Sequence, residues 1–313
     1  MLRTLWRRIL WAIPLFLLIT FFIFLMFDLA AVDPAERIAG EAATPDQVAA
    51  LRTEFGLHGS VLSRYSTWLG NVMHGDFGTS YVTREKVTQL IGERYSVTLS
   101  LSLLALVLSL VIAIPMGIAA AMRPRGPVDR LVTVGASLGI SVPGFWLAVM
   151  LVLLFAVKLK WLPAIGYEPL SAGLTTWFRY LILPVIALAL LGTAAIALQT
   201  KAAMIEVLGS DYILAAQAKG LPRRTVIGKH ALKNAAIPVV TILGFRVAGL
   251  FGGSVLIESV FAMDGMGSLA VRSTLSGDLP VIIAITVITV LMVVVVNLAV
   301  DMSYLYFDPR TRK

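Results

Sequence analysis

Arg246 is the only formal charge inside an otherwise apolar run from Ile237 to Ile257. A guanidinium held deep in hydrocarbon costs at least ~2.5–3.5 kcal/mol, so it must face protein or a water-filled cavity. Its chemistry there is contact with an anion such as a substrate carboxylate, or a structural bond to a backbone carbonyl or a neighbouring chain. Glu258 follows twelve residues later. That spacing rotates it about 120° around an ideal helix, away from a direct pair with Arg246. Gly249, Gly252, Gly253 and Ser254 form a small-residue face suited to close helix packing. A second irregular point is Val142-Pro143-Gly144, also within an apolar run. Pro143 removes a backbone donor and Gly144 weakens the helix, which predicts a kink or break. Broken helices at membrane depth often line cavities. Pro143, Gly144, Arg246 and Glu258 are therefore the candidate residues of a translocation path.

Other chemistries lack their residues. The only Gly-Lys pair, Gly228-Lys229, is followed by His230 and not by Ser or Thr, so no nucleotide-binding P-loop exists. The chain is not expected to be an enzyme or to bind a cofactor of its own. No HExxH occurs, and His58, His74 and His230 all fall outside the apolar runs. That pattern argues against a zinc protease and against a serine–histidine pair buried in the membrane. The absence of cysteine removes thiolate-metal and disulfide chemistry. An ion-coupled secondary transporter would want a buried carboxylate relay, and no run carries Asp or Glu near its middle. The spread-out methionines form no metal site.

The elements that must hold these residues are membrane helices. Mean hydropathy is +0.87 and only 14% of the 313 residues are charged, which places the chain among polytopic membrane proteins. Six windows can cross ~30 Å of hydrocarbon as helices: Ile9–Phe27, Val97–Ala121, Leu131–Val157, Tyr180–Gln199, Ile237–Ile257 and Pro280–Val300. Backbone amides in lipid must pair within the segment, and the alternating strands of a barrel are missing. The first window exceeds the ~7–15-residue core of a signal peptide, and no clean A-x-A site follows it, so it is read as a retained span.

The net charge of +8 is a topology signal. Arg3, Arg7 and Arg8 precede the first window, and Arg123, Arg125 and Arg130 follow the second. Lys201, Lys219, Arg223, Arg224, Lys229 and Lys233 follow the fourth, and Arg310, Arg312 and Lys313 end the chain. The positive-inside rule puts both termini and the 200–236 loop in the cytoplasm. A nucleic-acid partner is not needed to explain the charge.

On the other side lies one sizeable region, 28–95. Thr44-Pro45-Asp46-Gln47 is a capping box that predicts a helix to about Leu57. Ser60 can cap a second helix, stopped by Gly75 and Gly78. A third, Arg84 to Arg94, leads into the second window. These helices are suited to lying on the membrane surface or to docking and substrate guidance.

The 200–236 loop carries the most specific pattern. Asp211 opens a short helix at its positive end. Ala215, Ala216 and Ala218 keep a surface small, Gly220-Leu221-Pro222 turns the chain, and a second helix runs from Arg223 to Asn234. Ala215-Ala216, Gly220 and His230-Ala231-Leu232 resemble the coupling loop, or EAA loop, of ABC importer permeases. Leu214, His230 and Lys233 stand where that pattern has Glu, Ile and Pro. These departures match the AKGL…HALKNA variant of peptide permeases. Asp33-Pro34-Ala35-Glu36, Gly75 to Ser80, Gly252 to Glu258 and Tyr306 to Arg310 are similar to motifs of the same family. Met263 to Gly267 departs from its usual Trp-Pro-Gly-x-Gly.

The resemblance, to the B-type permease subunit of dipeptide and oligopeptide ABC importers, implies a type I permease fold with six transmembrane helices and an extracytoplasmic helical region. The organisation it implies is a cytoplasmic N-terminus and first helix (1–27), the extracytoplasmic region (28–95), a permease core (96–301) and a cytoplasmic tail (302–313). It implies a bacterial cytoplasmic-membrane location. It also implies a heterodimer with a related permease, two ATPase subunits binding ATP and magnesium, and an extracytoplasmic peptide-binding protein. Asp211, Ala215, Ala216, Gly220, Leu221, His230, Leu232 and Asn234 are the expected coupling residues. Relatives of this kind also carry nickel complexes or glutathione, which remain alternatives, as do an ion-coupled secondary transporter and a non-transporting scaffold.

Overall fold

The computed structural model describes residues 2–29, 33–40 and 42–307. Side chains at 2–9, 11, 191 and 305–307 are outside that description, as is the tail at 308–313. Arg3, Arg7, Arg8 and the Tyr306 to Arg310 motif, with Arg312 and Lys313, therefore lie outside the described side chains or residues. In chain order the helices are α1 (Leu2–Leu29), α2 (Pro34–Ala39), α3 (Pro45–Glu54), α4 (Val61–Met73), α5 (Val87–Ala121), α6 (Pro127–Ser141) and α7 (Gly144–Leu151). They continue as α8 (Leu174–Leu208), α9 (Asp211–Ala218), α10 (Arg223–Thr225), α11 (Leu232–Val260), α12 (Met266–Ser276) and α13 (Leu279–Phe307). Among the described residues the sole β pairing is an isolated bridge, Thr79 to Lys86.

Among the described residues, four helices are long and apolar enough to cross a membrane, and six if each of two bent pairs counts as one span. The first bent pair is α6 with α7 and its π-helical extension to Lys158, at 96°. Pro143 sits at the corner with extended backbone and Gly144 opens α7, so the expected weak point is a full break. The second bend, of 46°, lies in α8. There the Ser109 hydroxyl of α5 donates to the Ala189 carbonyl at 2.9 Å, and Thr193 donates to the same oxygen at 2.9 Å. Extra donors on a ladder carbonyl loosen the i→i−4 bond and bend the helix.

The chain divides into two compact units, residues 1–96 with 264–294, and 97–263 with 295–313. In the first unit, α1 and α4 are joined by Tyr65, whose hydroxyl donates to the Leu17 carbonyl at 3.1 Å and lies 3.0 Å from Thr20 Oγ1. Phe24, Tyr65, Leu279 and Ile283 form the core at that point. The Thr44–Gln47 capping box is present in both directions, and α3 ends at Glu54, slightly before the predicted Leu57. Ser60 caps α4 as expected. The predicted third helix begins at Val87 and runs without interruption to Ala121. Val87, Leu90 and Ile91 pack there with Met266, Leu269 and Val281.

Asp278 is the polar anchor of this unit. It is almost fully buried. Its carboxylate accepts from the Ser80 hydroxyl and, at 3.0 Å, from the Tyr81 amide. Burial pushes its carboxyl above the usual range, against the opposing pull of those bonds. The Tyr81 phenol is pushed up to about 12, by burial first and by the nearby Asp278 carboxylate second.

In the second unit α8 is the central helix, packed by α6, α7 and α11. One core gathers Leu101, Ala105, Leu181, Leu183, Leu188, Ile257 and Phe261. Approaches are close where glycine allows them. A Cβ on Gly117 would lie 2.6 Å from Thr200 Cβ and 2.7 Å from the Ala197 carbonyl, so α5 meets α8 almost backbone to backbone.

Candidate coupling element and translocation face

The candidate coupling element is α9, its turn and the start of α11. α9 begins after Ser210, whose extended backbone leaves the preceding helix. Asp211 sits in the first turn, where a carboxylate favours the positive helix end. The helix closes with the Gly220 amide on the Gln217 carbonyl at 2.9 Å and the Leu221 amide on the Ala216 carbonyl at 3.3 Å. Gly220 has φ +75°, a left-handed conformation that suits glycine at a helix end. Pro222 then sets the extended entry to α10.

Burial divides this element into an inner and an outer side. Ile213 and Ala216 are buried with Ala121, Ala203, Met204, Val226, Ala231 and Ala235 in one apolar cluster. α9 is thus keyed to the ends of α5 and α8 and to the beginning of α11. Asp211, Ala215, Ala218, Gly220, Leu221 and Asn234 are exposed, and His230 and Leu232 are half-buried. The run of alanines therefore does not form one small surface. Ala216 serves the inner packing, and Ala215 and Ala218 face outward beside Tyr212, Leu214 and Leu221.

The predicted second helix is not a separate element. Arg223 to Val260 forms one helical segment of 38 residues, with a π-helical stretch at Val226–Ala231. The turn thereby continues into the long helix without an intervening loop. Tyr212 is a contact that reading by motif overlooks. Its hydroxyl accepts from Asn234 Nδ2 at 2.6 Å, and the same nitrogen lies 3.2 Å from the His230 carbonyl. Asn234 thus ties α9 to the first turn of α11. Its spacing of 22 residues from Tyr212 gives no periodic cue.

The four path candidates separate in space and role. Pro143 and Gly144 form the corner between α6 and α7. Arg246 is half-buried on α11, with no hydrogen-bond or ion-pair partner among the described residues. It adjoins an exposed stripe of Thr241, Phe245, Ala248, Gly249, Gly252 and Leu256. Space is open beyond the Cα atoms of Gly249 and Gly252. Gly253, by contrast, packs inward, with a Cβ placed 3.2 Å from Leu188. Glu258 has no exposed surface and accepts from the Thr98 hydroxyl at 2.7 Å. In this conformation it links α11 to α5 and lines no open path, because it falls on the packed side of the helix.

Comparison with known proteins agrees with this architecture. Residues 113–313 match the family model described as binding-protein-dependent transport system inner membrane component, and residues 1–102 match that family's N-terminal companion. The chain is 38% identical over 307 residues to the oligopeptide transport system permease protein AppB of Bacillus subtilis, covering 97% of each. It is 35% identical over 326 aligned residues to the dipeptide transport system permease protein DppB of Alkalihalophilus pseudofirmus, covering 98% of each. Among solved structures, the MetNI methionine ABC transporter in inward-facing conformations has a chain that superposes with a TM-score of 0.58 at 20% identity. That match covers 71% of this chain and 97% of the other, and shows the type I permease fold. The chain therefore belongs to the binding-protein-dependent transport system inner membrane component family, as a permease component of an ABC transporter.

Proposed function

We propose that this permease imports dipeptides or oligopeptides and forms half of the pathway beside a second, related permease. The observation that carries the substrate class is end-to-end similarity to the two peptide permeases named above. ATPase subunits and a binding protein are the general partners of such a permease. The finer assignments are ours: two ATPase chains holding ATP and magnesium, a heterodimer, and a binding protein specific for peptides.

The outer side of α9 meets the ATPase. Asp211, Ala215, Gly220 and Leu221 are the surface that docks. Ala216, His230, Leu232 and Asn234 hold that surface to α11. Both termini and α9 lie in the cytoplasm, and the helices of region 28–95 lie on the opposite side of a bacterial cytoplasmic membrane. The break at Pro143-Gly144 and the open side of α11 around Arg246 face the path, where the guanidinium meets peptide carboxylates. This chain performs no covalent chemistry and binds no cofactor.

Uptake of labelled dipeptides, longer peptides, glutathione and nickel by a strain lacking this chain, with and without the restored gene, tests the substrate class. Restoration of peptide uptake is expected. Restoration confined to glutathione or nickel would replace the substrate assignment.

A further inference from the structure

Lys201 reads in the sequence as one more cytoplasmic positive charge, and Asp129 attracts no notice. In the fold they meet across α6 and α8. Lys201 Nζ forms an ion pair with Asp129 Oδ1 and donates to Thr133 Oγ1 at 2.9 Å. Thr133 in turn donates to Asp129 Oδ1 at 3.2 Å, and the Arg125 amide donates to Asp129 Oδ2 at 2.8 Å. The side chains of Asp129 and Lys201 are 11% and 19% exposed. One carboxylate thus gathers the 123–126 turn, the first turn of α6 and the last third of α8. Lys201 stands ten residues before Asp211, the first residue of α9.

Adhesion between α6 and α8 does not need this pair. Val132 already packs with Ile196 and Ala197, and Gly139 lets α6 approach Ala194 and Leu190. Apolar packing of that kind tolerates sliding and rotation. A hydrogen-bonded ion pair does not, because its attraction is lost when the geometry slips, while the cost of desolvating both charges remains. Its physical contribution is register more than adhesion.

We infer that Asp129 and Lys201 are positioning residues that lock α8, and with it the α9 coupling element, to α6. Displacement of α9 by a partner then reaches α6 and the Pro143-Gly144 corner as one movement. Without the pair, α8 turns against α6 and part of that displacement is lost. This inference rests on the coupling role proposed for α9.

The test uses the assembled transporter in nanodiscs and liposomes, and measures ATP hydrolysed per peptide imported. Asp129→Asn and Lys201→Met each remove one partner, and an increase of roughly tenfold in that ratio is expected, as for the loss of a contact coupled by ~1.4 kcal/mol. The charge-exchanged double variant, D129K with K201D, restores the ion pair but not the acceptor for the Arg125 amide, so partial recovery of the wild-type ratio is expected. An apolar double variant, D129L with K201M, separates register from adhesion. It is expected to assemble and melt like wild type yet remain uncoupled, since matched apolar groups replace an ion pair with little loss of stability. Wild-type coupling in the apolar double variant would overturn the inference, as would charge exchange that assembles without recovery. Gly220→Leu in the same assay tests the underlying reading. Normal coupling there sinks the role of α9, whereas uncoupling there with normal single-pair variants sinks only the role of Asp129 and Lys201.

Discussion

Gly220 holds φ +75° at the exposed end of α9, and a Cβ there would meet nothing within 4 Å. A leucine at this site therefore acts through backbone strain of roughly 1–2 kcal/mol and through bulk projected outward, with no internal clash. Gly220→Leu is expected to leave the chain inserted and assembled while uptake falls at least tenfold and ATP hydrolysis persists. Normal uptake would remove α9 from the coupling role. Arg246→Ala takes a charge from a half-buried site that has no hydrogen-bond or ion-pair partner among the described residues. Assembly with a second permease should survive, measured by co-purification, and peptide uptake should fall several-fold. Dissociation of the complex would make Arg246 an interface contact instead. Tyr81 offers a test by pH. Its phenol titrates near 12 in the fold against about 10 in the open chain. The stability it contributes is thus complete below pH 10 and is lost as pH rises toward 12, by up to ~2 kcal/mol. Thermal unfolding across that window should steepen for the wild type and flatten for Tyr81→Phe. Equal slopes would mean that the phenol is not confined as described.

At the scale of elements, α9 owes its position to Ile213, which is completely buried in the cluster with Ala203, Met204 and Val226. Ile213→Ala should cost ~2–5 kcal/mol of local packing. Hydrogen exchange over 211–218 should accelerate strongly while exchange in the middle of α8 stays slow. Unchanged protection of α9 would show that the Asn234–Tyr212 bond alone holds it.

Elements with local signals were legible in the sequence. The capping box at Thr44, the cap at Ser60, the six apolar windows and the weak point at Pro143-Gly144 each follow from a few adjacent residues. α2 and α12 lack such a signal in sum: α2 has only six residues behind its Asp33 and Pro34 N-cap and N1 pair, and α12 has no side-chain cap and is buried against the distant Val87, Leu90 and Ile91. The side of a helix that faces inward was equally hidden. Ala215 and Ala216 are chemically identical neighbours with opposite exposure. Glu258 and Asp278 sit in polar contacts with residues 160 and 198 positions away, and no periodicity reports such separations.

For the whole molecule, the family match and the MetNI-like fold make this chain one component of an ABC transporter. Its described residues supply packing and a half-buried charged position on a long helix; in the function proposed above, the outer side of α9 is the coupling surface and the energy enters through ATPase partners. In the proposed function, outward-facing residues of α9 transmit ATPase motion to peptide passage. The most direct measurement is simultaneous ATP hydrolysis and peptide uptake by the reconstituted transporter with its binding protein, comparing the wild type with Gly220→Leu. Coupling through α9 requires peptide-stimulated hydrolysis with uptake for the wild type, and hydrolysis without uptake for the variant. Uptake that proceeds equally in both, or that persists without ATPase partners, would contradict it.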